Sequence, residues 1–189
     1  MNARQIMKRT ATASTVPTIP SSSDHTDGTW LATDIYKGEM FYNEANDSMW
    51  TRGTNGIVHL GGRAKLTIPT AQVLTLNSIP VAFGLTVPSG YYVDPISVQV
   101  GINYGSAAYA TNTTIAIKTS GATALHGTAN ILGATLSRIA ALPVGSTAAT
   151  AGQTMFIDGA DLEVYVLVGN PTAGNSGITI YLTYVLIKI

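Results

Sequence analysis

The chain has 189 residues and no cysteine, which excludes a disulfide framework and any metal site built on cysteine ligands. Charged residues make up only 11% of it, against about 25% in ordinary soluble domains. Ten basic residues balance ten acidic residues, so no long-range field steers the chain to nucleic acid or to a membrane surface.

Residues 1–28 are rich in Thr, Ser and Pro, and their basic residues come first, at Arg4, Lys8 and Arg9. Pro17 and Pro20 disfavour a helix, and no apolar run follows the basic residues as a signal peptide requires. We therefore expect no secretion, and we expect an extended segment. It is either an inert tail that is disordered in the free chain or an anchor that orders on a partner.

Residues 29–62 form a denser segment that predicts a small β-hairpin module. Its expected strands are Glu39–Asn43, Met49–Arg52 and Ile57–Leu60, and Asn55-Gly56 supplies a strong turn signal. Because three short strands are marginal in isolation, we expect the large aromatic side chains of this module to pack either on another chain or on the following domain. These aromatic residues are Trp30, Tyr36, Phe41, Tyr42 and Trp50.

Residues 63–189 carry the two-residue period of half-buried antiparallel strands. Apolar and polar residues alternate from Ile96 to Tyr104 and from Thr113 to Lys118, and a further strand puts Leu162, Val164, Val166 and Val168 on one face. Gly, Pro and Asn clusters separate these runs. The pattern predicts an all-β chain whose C-terminal domain is an antiparallel, jelly-roll-like β-sandwich. Only 130–142 has spacing that suits a helix, and a turn or an irregular strand fits it as well.

The last predicted strand, 178–189, has one apolar face and one face that begins polar and ends apolar. Val185, Ile187 and Ile189 form this apolar end, which must be covered by something. We prefer a subunit interface. Burial within the monomer is the other reading.

Residues with catalytic or metal-binding chemistry are scattered. His25, His59 and His126 have no second ligand at metal spacing, and no nucleophile–histidine–acid signature occurs. The carboxylates at 158, 161 and 163 fit a solvated turn better than an acid–base pair. We expect no enzymatic activity, no cofactor and no metal.

Several turn and strand segments resemble phage proteins. One set resembles a short β-module of phage fibres and appendages and comprises Asp34–Asn43, Ser48–Arg52 and Asn55–Ile57. A second set is similar to a β-sandwich domain of small phage virion proteins and comprises Val73–Asn77, Asn103–Thr114, Leu132–Arg138 and Gly169–Ser176.

This resemblance implies a virion component of a tailed bacteriophage, commonly a homotrimer, assembled in the cytoplasm of the host bacterium. The N-terminal segment would bind the major capsid protein or another virion protein, and no long fibre shaft is present. We therefore expect a head fibre or capsid appendage, with neither nucleic acid nor membrane as a partner.

The alternative is a tail-associated fibre or receptor-binding protein that recognises glycans of the host surface. Tyr91, Tyr92, Tyr104 and Tyr109 could then stack on sugar rings. Otherwise, these four tyrosines fill the core and the turns.

Overall fold

The computed structural model describes residues 7–13, 15–20, 31–144 and 154–188. It confirms an all-β, sandwich-like fold of two sheets, with seven and four strands. The large sheet has the strand order β1-β2-β3-β4-β11-β6-β9, and the small sheet has the order β5-β10-β7-β8. The strands are β1 Met7–Thr10, β2 Met40–Asn43, β3 Ser48–Gly53, β4 Gly56–Ile68, β5 Val81–Ala82, β6 Tyr91–Asn103, β7 Thr114–Thr119, β8 Gly127–Asn130, β9 Arg138–Leu142, β10 Leu162–Val166 and β11 Gly177–Lys188.

Strands β2 and β3 lie where turn chemistry and alternation predict them, and Gly56 has the positive φ of 118° that the turn before β4 requires. The third strand is longer than its predicted range of Ile57–Leu60. β4 runs on to Ile68 and pairs with β11 over seven residues of each strand. It therefore crosses the expected boundary between residues 62 and 63, while the three-part division of the chain stays a prediction.

The centre of the large sheet is the antiparallel pair of long strands β6 and β11, joined from Gly177–Asn103 to Lys188–Tyr91. A bulge interrupts this pair between Thr183 and Tyr184. A second register shift lies between β3 and β4, where Met49 pairs with Gly61 and Trp50 pairs with His59. Each bulge inserts one extra residue, and bulges bend and twist a strand.

In the C-terminal part, one open alternative is decided by the structure and two predictions were wrong in detail. The segment 130–142 contains no helix; it ends β8, turns, and forms β9. The one described helix is a single turn, Thr70–Val73. Val168 does not continue the buried face of β10, since its φ of 73° turns the chain out of the strand and leaves the side chain 95% exposed.

One hydrophobic core lies between the two sheets. The large sheet contributes the inner faces of β6 and β11, and the small sheet contributes those of β7 and β10. The fully buried core residues include Ile180 and Val100 of the large sheet and Ile117 and Val164 of the small sheet. None of the helices in the described ranges has the length and apolar character needed to cross a bilayer.

Candidate interaction face of the large sheet

The large sheet turns one face to the small sheet and the opposite face, here called the outer face, to solvent. Across the middle of the outer face, register places Tyr181 of β11 between Lys65 of β4 and Gln99 of β6. In the next row, Thr183 lies between Arg63 and Ser97. Because Ile180 and Leu182 are buried, the alternation of the strand points the side chains of Tyr181 and Thr183 outward.

Three shallow depressions cover this face. The first, of about 400 Å³, is lined by Arg63, Lys65, Ser97, Gln99 and Tyr181, among others. The second, of about 350 Å³, shares Tyr181 and extends across Thr179 to Gly101, Ser137, Arg138 and Ile139. The third, of about 340 Å³, shares Arg63 and Thr183 with the first and extends to Tyr42 and Leu60. We call the first two depressions together the polar groove.

The polar groove is lined by three basic residues, Arg63, Lys65 and Arg138, and by one carboxylate, Asp47. Neither Arg63 nor Lys65 forms an ion pair within the described residues. The ammonium of Lys65 instead lies over the Tyr181 ring, 5.8 Å from its centroid. Asp47 lines the groove beside Arg63 and accepts a 2.6 Å hydrogen bond from the Tyr42 hydroxyl. This bond raises the pKa of Tyr42.

Beyond the two bulges the outer face becomes apolar. Val58, Leu60 and Ile96 are each 50–53% exposed, and Val185 and Ile187 are half-buried. We call these five residues the apolar end. Asp94, paired with Val185, lies at this end, and burial raises the pKa of its carboxyl group.

A buried aromatic cluster lies next to the bulge of β4, under the apolar end. Regular pairing of β4 with β11 stops at Gly62 and Tyr184. Past that point, Nδ1 of His59 accepts a 2.8 Å hydrogen bond from the Leu186 N–H. The His59 ring meets Trp50 edge-on at 4.5 Å and stacks on Tyr184 at 5.7 Å.

This cluster keeps His59 neutral. Burial lowers its pKa from 6.5 to about 4, because a charged imidazole would lose its hydration. Burial also raises the pKa of Tyr184 to about 12. Nε2 of His59 and Nε1 of Trp50 are buried, and each has no hydrogen-bond partner in the described part of the chain.

Two of the predicted anchor residues, Lys8 and Arg9, lie on strand β1. β1 is a parallel edge strand beside β2. Lys8 donates a hydrogen bond to the Asp34 carbonyl and lies 3.6 Å from Glu39. Arg9 lies 3.1 Å from Glu44, and both side chains are exposed.

The expectation of a disordered N-terminal tail is therefore wrong for 7–13 and 15–20, which fold against the hairpin module. Pro17 is buried and Pro20 half-buried, and Arg4 lies outside the described residues. Two described cations of the anchor are paired with acids, so charge alone does not make this segment a basic patch. Its binding to a virion protein stays a prediction.

Asp34 holds the N-terminal segment in place. Burial alone would raise the pKa of Asp34. The Leu31 N–H and the Thr18 hydroxyl each donate a 2.6 Å hydrogen bond to its carboxylate, and these bonds, with the Lys8 charge, lower the pKa overall.

The predicted interface residues divide into three groups. Phe41 and Trp50 are 1% exposed inside this chain, so they are core residues and not a contact for a second subunit. Trp50 packs edge-on against Tyr91 of β6, on the following domain. Tyr36 and Tyr42 are half-buried, as are Val185 and Ile187. Trp30 and Ile189 lie outside the described residues.

The tyrosines considered for sugar stacking serve the fold. Tyr109 is 3% exposed and donates a 2.5 Å hydrogen bond to the Ser176 carbonyl. Tyr92 packs on Phe156, and the Tyr104 hydroxyl donates to the Ser106 carbonyl. The exposed tyrosine of the outer face is Tyr181, at 42%. Its position on the polar face of the last strand was the available sequence signal, but its two neighbours come from strands that are distant in sequence.

The turn carboxylates have structural partners. Asp161 accepts hydrogen bonds from the N–H groups of Gly84 and Leu85, and Asp158 accepts one from Gly90. Buried His126 lies 2.9 Å from the Thr119 hydroxyl. Within the described ranges, no three His, Cys, Asp or Glu side chains come together to hold a metal ion.

Fold and surface together define an all-β, sandwich-like protein with an exposed and chemically divided sheet face. No family model matches the chain, and no curated protein matches it. Among solved structures it is similar to a chain of the "Cyanophage Pam1 capsid asymmetric unit". The TM-score is 0.37 at 13% identity, over 67% of this chain and 84% of that one. At this TM-score, the likeness defines neither a family nor a function.

Proposed function

We propose that this protein is a structural component of a tailed-phage particle, specifically a head fibre or capsid appendage. Its N-terminal segment holds it to the particle, and its sandwich is displayed outward. The sequence resemblance described above motivates the assignment. The observation that carries it is the apolar end of the outer face, where Val58, Leu60 and Ile96 are about half exposed. A face of this kind is usually covered by another protein.

A second copy of the chain covers the apolar end in this proposal. Val185 and Ile187 are half-buried within one chain, so an oligomer completes their burial. Three copies arranged around this end would form the homotrimer expected for phage appendages. A specific interface buries about 800 Å² on each partner.

Attachment to the particle uses the N-terminal edge of the large sheet. β1 is an edge strand and presents backbone N–H and C=O groups on its outer side. A capsid or other virion protein can add a strand there, which provides affinity through main-chain hydrogen bonds. This route does not require free basic side chains, in agreement with the ion pairs of Lys8 and Arg9.

The test is incorporation of a truncated chain into particles. Deletion of residues 1–10 removes β1 and leaves the other ten strands. We expect a folded protein, with a mass of three chains by light scattering, that is absent from purified particles in an immunoblot. Full-length protein is the control and should label heads in immunogold micrographs.

Normal incorporation of the truncated chain would refute the attachment route. Label on tails with none on heads would replace the head assignment with the tail-associated alternative. A monomer at micromolar concentration would refute the second copy as the cover of the apolar end.

A further inference from the structure

We propose that the polar groove of the large sheet binds an acidic oligosaccharide, that is, a chain of sugar rings bearing carboxylates. The groove lies on the polar half of the outer face, next to the apolar end assigned to a second copy, and the two share no residue. The proposal therefore does not depend on the virion role. It rests on the aromatic, hydrogen-bonding and charged groups that register brings together there.

The neutral groups of the groove suit sugar hydroxyls. Ser97, Gln99, Thr179 and Thr183 present hydroxyl and amide groups that both donate and accept hydrogen bonds. Tyr181 lies at the boundary of the two depressions and is 42% exposed. Its ring offers a flat apolar surface with a polar tip, and the apolar face of a pyranose ring packs on such a surface.

The charges of the groove favour an acidic ligand. Arg63 and Lys65 line the first depression and Arg138 lines the second, against one lining carboxylate, Asp47. Arg63 and Lys65 form no ion pair within the described ranges, so their donors are open to a ligand. A guanidinium matches a carboxylate with two parallel hydrogen bonds.

Lys118 of the small sheet provides a comparison for Lys65, because it also lies beside a tyrosine ring but is paired with an acid. Lys118 lies 5.2 Å from the Tyr165 ring centroid, much as Lys65 lies over Tyr181. However, Lys118 is also 3.1 Å from Glu163, so its charge is neutralised within the chain. The groove repeats the cation–aromatic pair without the acid, and this difference points to an external anion.

The groove has the size for more than one sugar ring. Its depressions measure about 400 and 350 Å³, and ligand pockets typically measure about 300–1,000 Å³. Tyr181 lines both, so a ring stacked on it would have neighbours on either side. Gly101 keeps the floor of the second depression low, because it has no side chain between Thr179 and Ile139.

The experiment is a titration of the full-length protein by isothermal calorimetry with tetragalacturonate as the acidic probe. Maltotetraose is the neutral sugar of equal length, and tetraglutamate is the anion without sugar rings. We expect tetragalacturonate to bind at least ten-fold more tightly than either. Its binding should weaken as salt rises from 0.05 to about 1 M, where the screening length falls to about 3 Å.

Three variants locate the site. Arg63→Gln and Lys65→Gln should each raise Kd by about ten-fold or more, the loss of a charge-assisted hydrogen bond. Tyr181→Thr keeps a strand-forming residue and should abolish the preference for tetragalacturonate over tetraglutamate. Lys118→Gln on the small sheet is the matched control and should leave Kd unchanged. Circular dichroism of each variant verifies folding.

Four results would overturn the proposal: no binding of tetragalacturonate, equal binding of tetraglutamate, an unchanged Kd in Arg63→Gln and Tyr181→Thr, or an equal loss in Lys118→Gln. Dissociation of an oligomer by Arg63→Gln would also overturn it, because the groove would then be a subunit contact. These outcomes are independent of particle incorporation, so failure of the groove and failure of the virion role can be told apart.

Discussion

Each sheet carries a lysine beside a tyrosine on the face that points away from the core, Lys118 on the small sheet and Lys65 on the large sheet, but only the first of these two is paired with an acid within the described residues. On the small sheet, Lys118 is paired with Glu163 and also donates to the Ala122 carbonyl. On the large sheet, Lys65 and Arg63 have no acidic partner within the described residues. A face that neutralises its own charges needs no ligand, whereas a face that leaves cations beside an exposed tyrosine is suited to one.

One buried histidine, His59, lies in β4 of the large sheet, and a second, His126, immediately precedes β8 of the small sheet. Protonation of these two histidines gives the largest effect that we expect. Burial lowers the pKa of both His59 and His126 from 6.5 to about 4. The unfolded chain therefore binds more protons than the native chain between pH 6.5 and 4, so stability falls as the pH falls through this window. From pH 7 to pH 5 we expect a loss of about 2 kcal/mol for each histidine in urea unfolding.

Glutamine variants separate the two contributions. His59→Gln and His126→Gln each lower stability at pH 7 by removing a buried hydrogen bond, but each should also halve the pH dependence of the unfolding free energy between pH 7 and 5. A pH dependence that is unchanged in either variant would show that the corresponding imidazole is not held neutral in the native state.

The second effect concerns how tightly the large sheet is packed where its outer face changes from polar to apolar. A Cβ added at Gly62 would lie 2.6 Å from Cζ of Tyr184, a ring that is 2% exposed. Gly62→Ala should therefore destabilise the protein by about 2–3 kcal/mol through overpacking. Thermal and urea unfolding measure this loss.

Gly53→Ala in the adjacent strand β3 is the matched control, since a Cβ there meets no atom within 4 Å. It should change stability by less than about 0.5 kcal/mol. Similar losses in the two variants would indicate a general strand effect in place of contact with Tyr184.

The smallest effect tests the contrast between the two outer faces directly. Lys118→Glu places a second carboxylate next to Glu163, whose side chain is 14% exposed, and should cost about 1 kcal/mol. Lys65 forms no ion pair with an acid in the described residues, so Lys65→Glu should change the free energy of unfolding by less than about 0.5 kcal/mol. Urea midpoints of the two variants give the comparison, and equal losses would contradict the assignment of different roles to the two lysines.

Local patterns were sufficient for much of the fold. Alternation identified β6, β7 and the buried face of β11, and Asn55-Gly56 identified the turn between β3 and β4, because these signals lie within a few residues of one another. For 130–142 the sequence left a helix and a turn or irregular strand open, because periodicity cannot separate short strands joined by a turn from a weak helix, and the structure shows the strands and the turn. Val168 was misplaced because its reversal depends on a left-handed backbone.

The site was less accessible from the sequence. Tyr181 lies on the face of the last strand that begins polar, but Lys65 and Gln99 are 116 and 82 positions earlier in the chain (181 − 65 and 181 − 99). They reach Tyr181 only through strand register. Phe41 and Trp50 were named as interface residues that pack either on another chain or on the following domain. They are buried within this chain because β4 joins their module to the main sheet.

By itself, the sequence determined the β class, the low charge and the places where the chain turns, since residue type and period two specify these locally. The tertiary structure decided which cations acquire acidic partners and which stay open. It also set the outward neighbours of Tyr181 and kept His59 neutral. These properties depend on contacts between strands far apart in the chain and on exclusion of water from the core. Neither is encoded in any single segment.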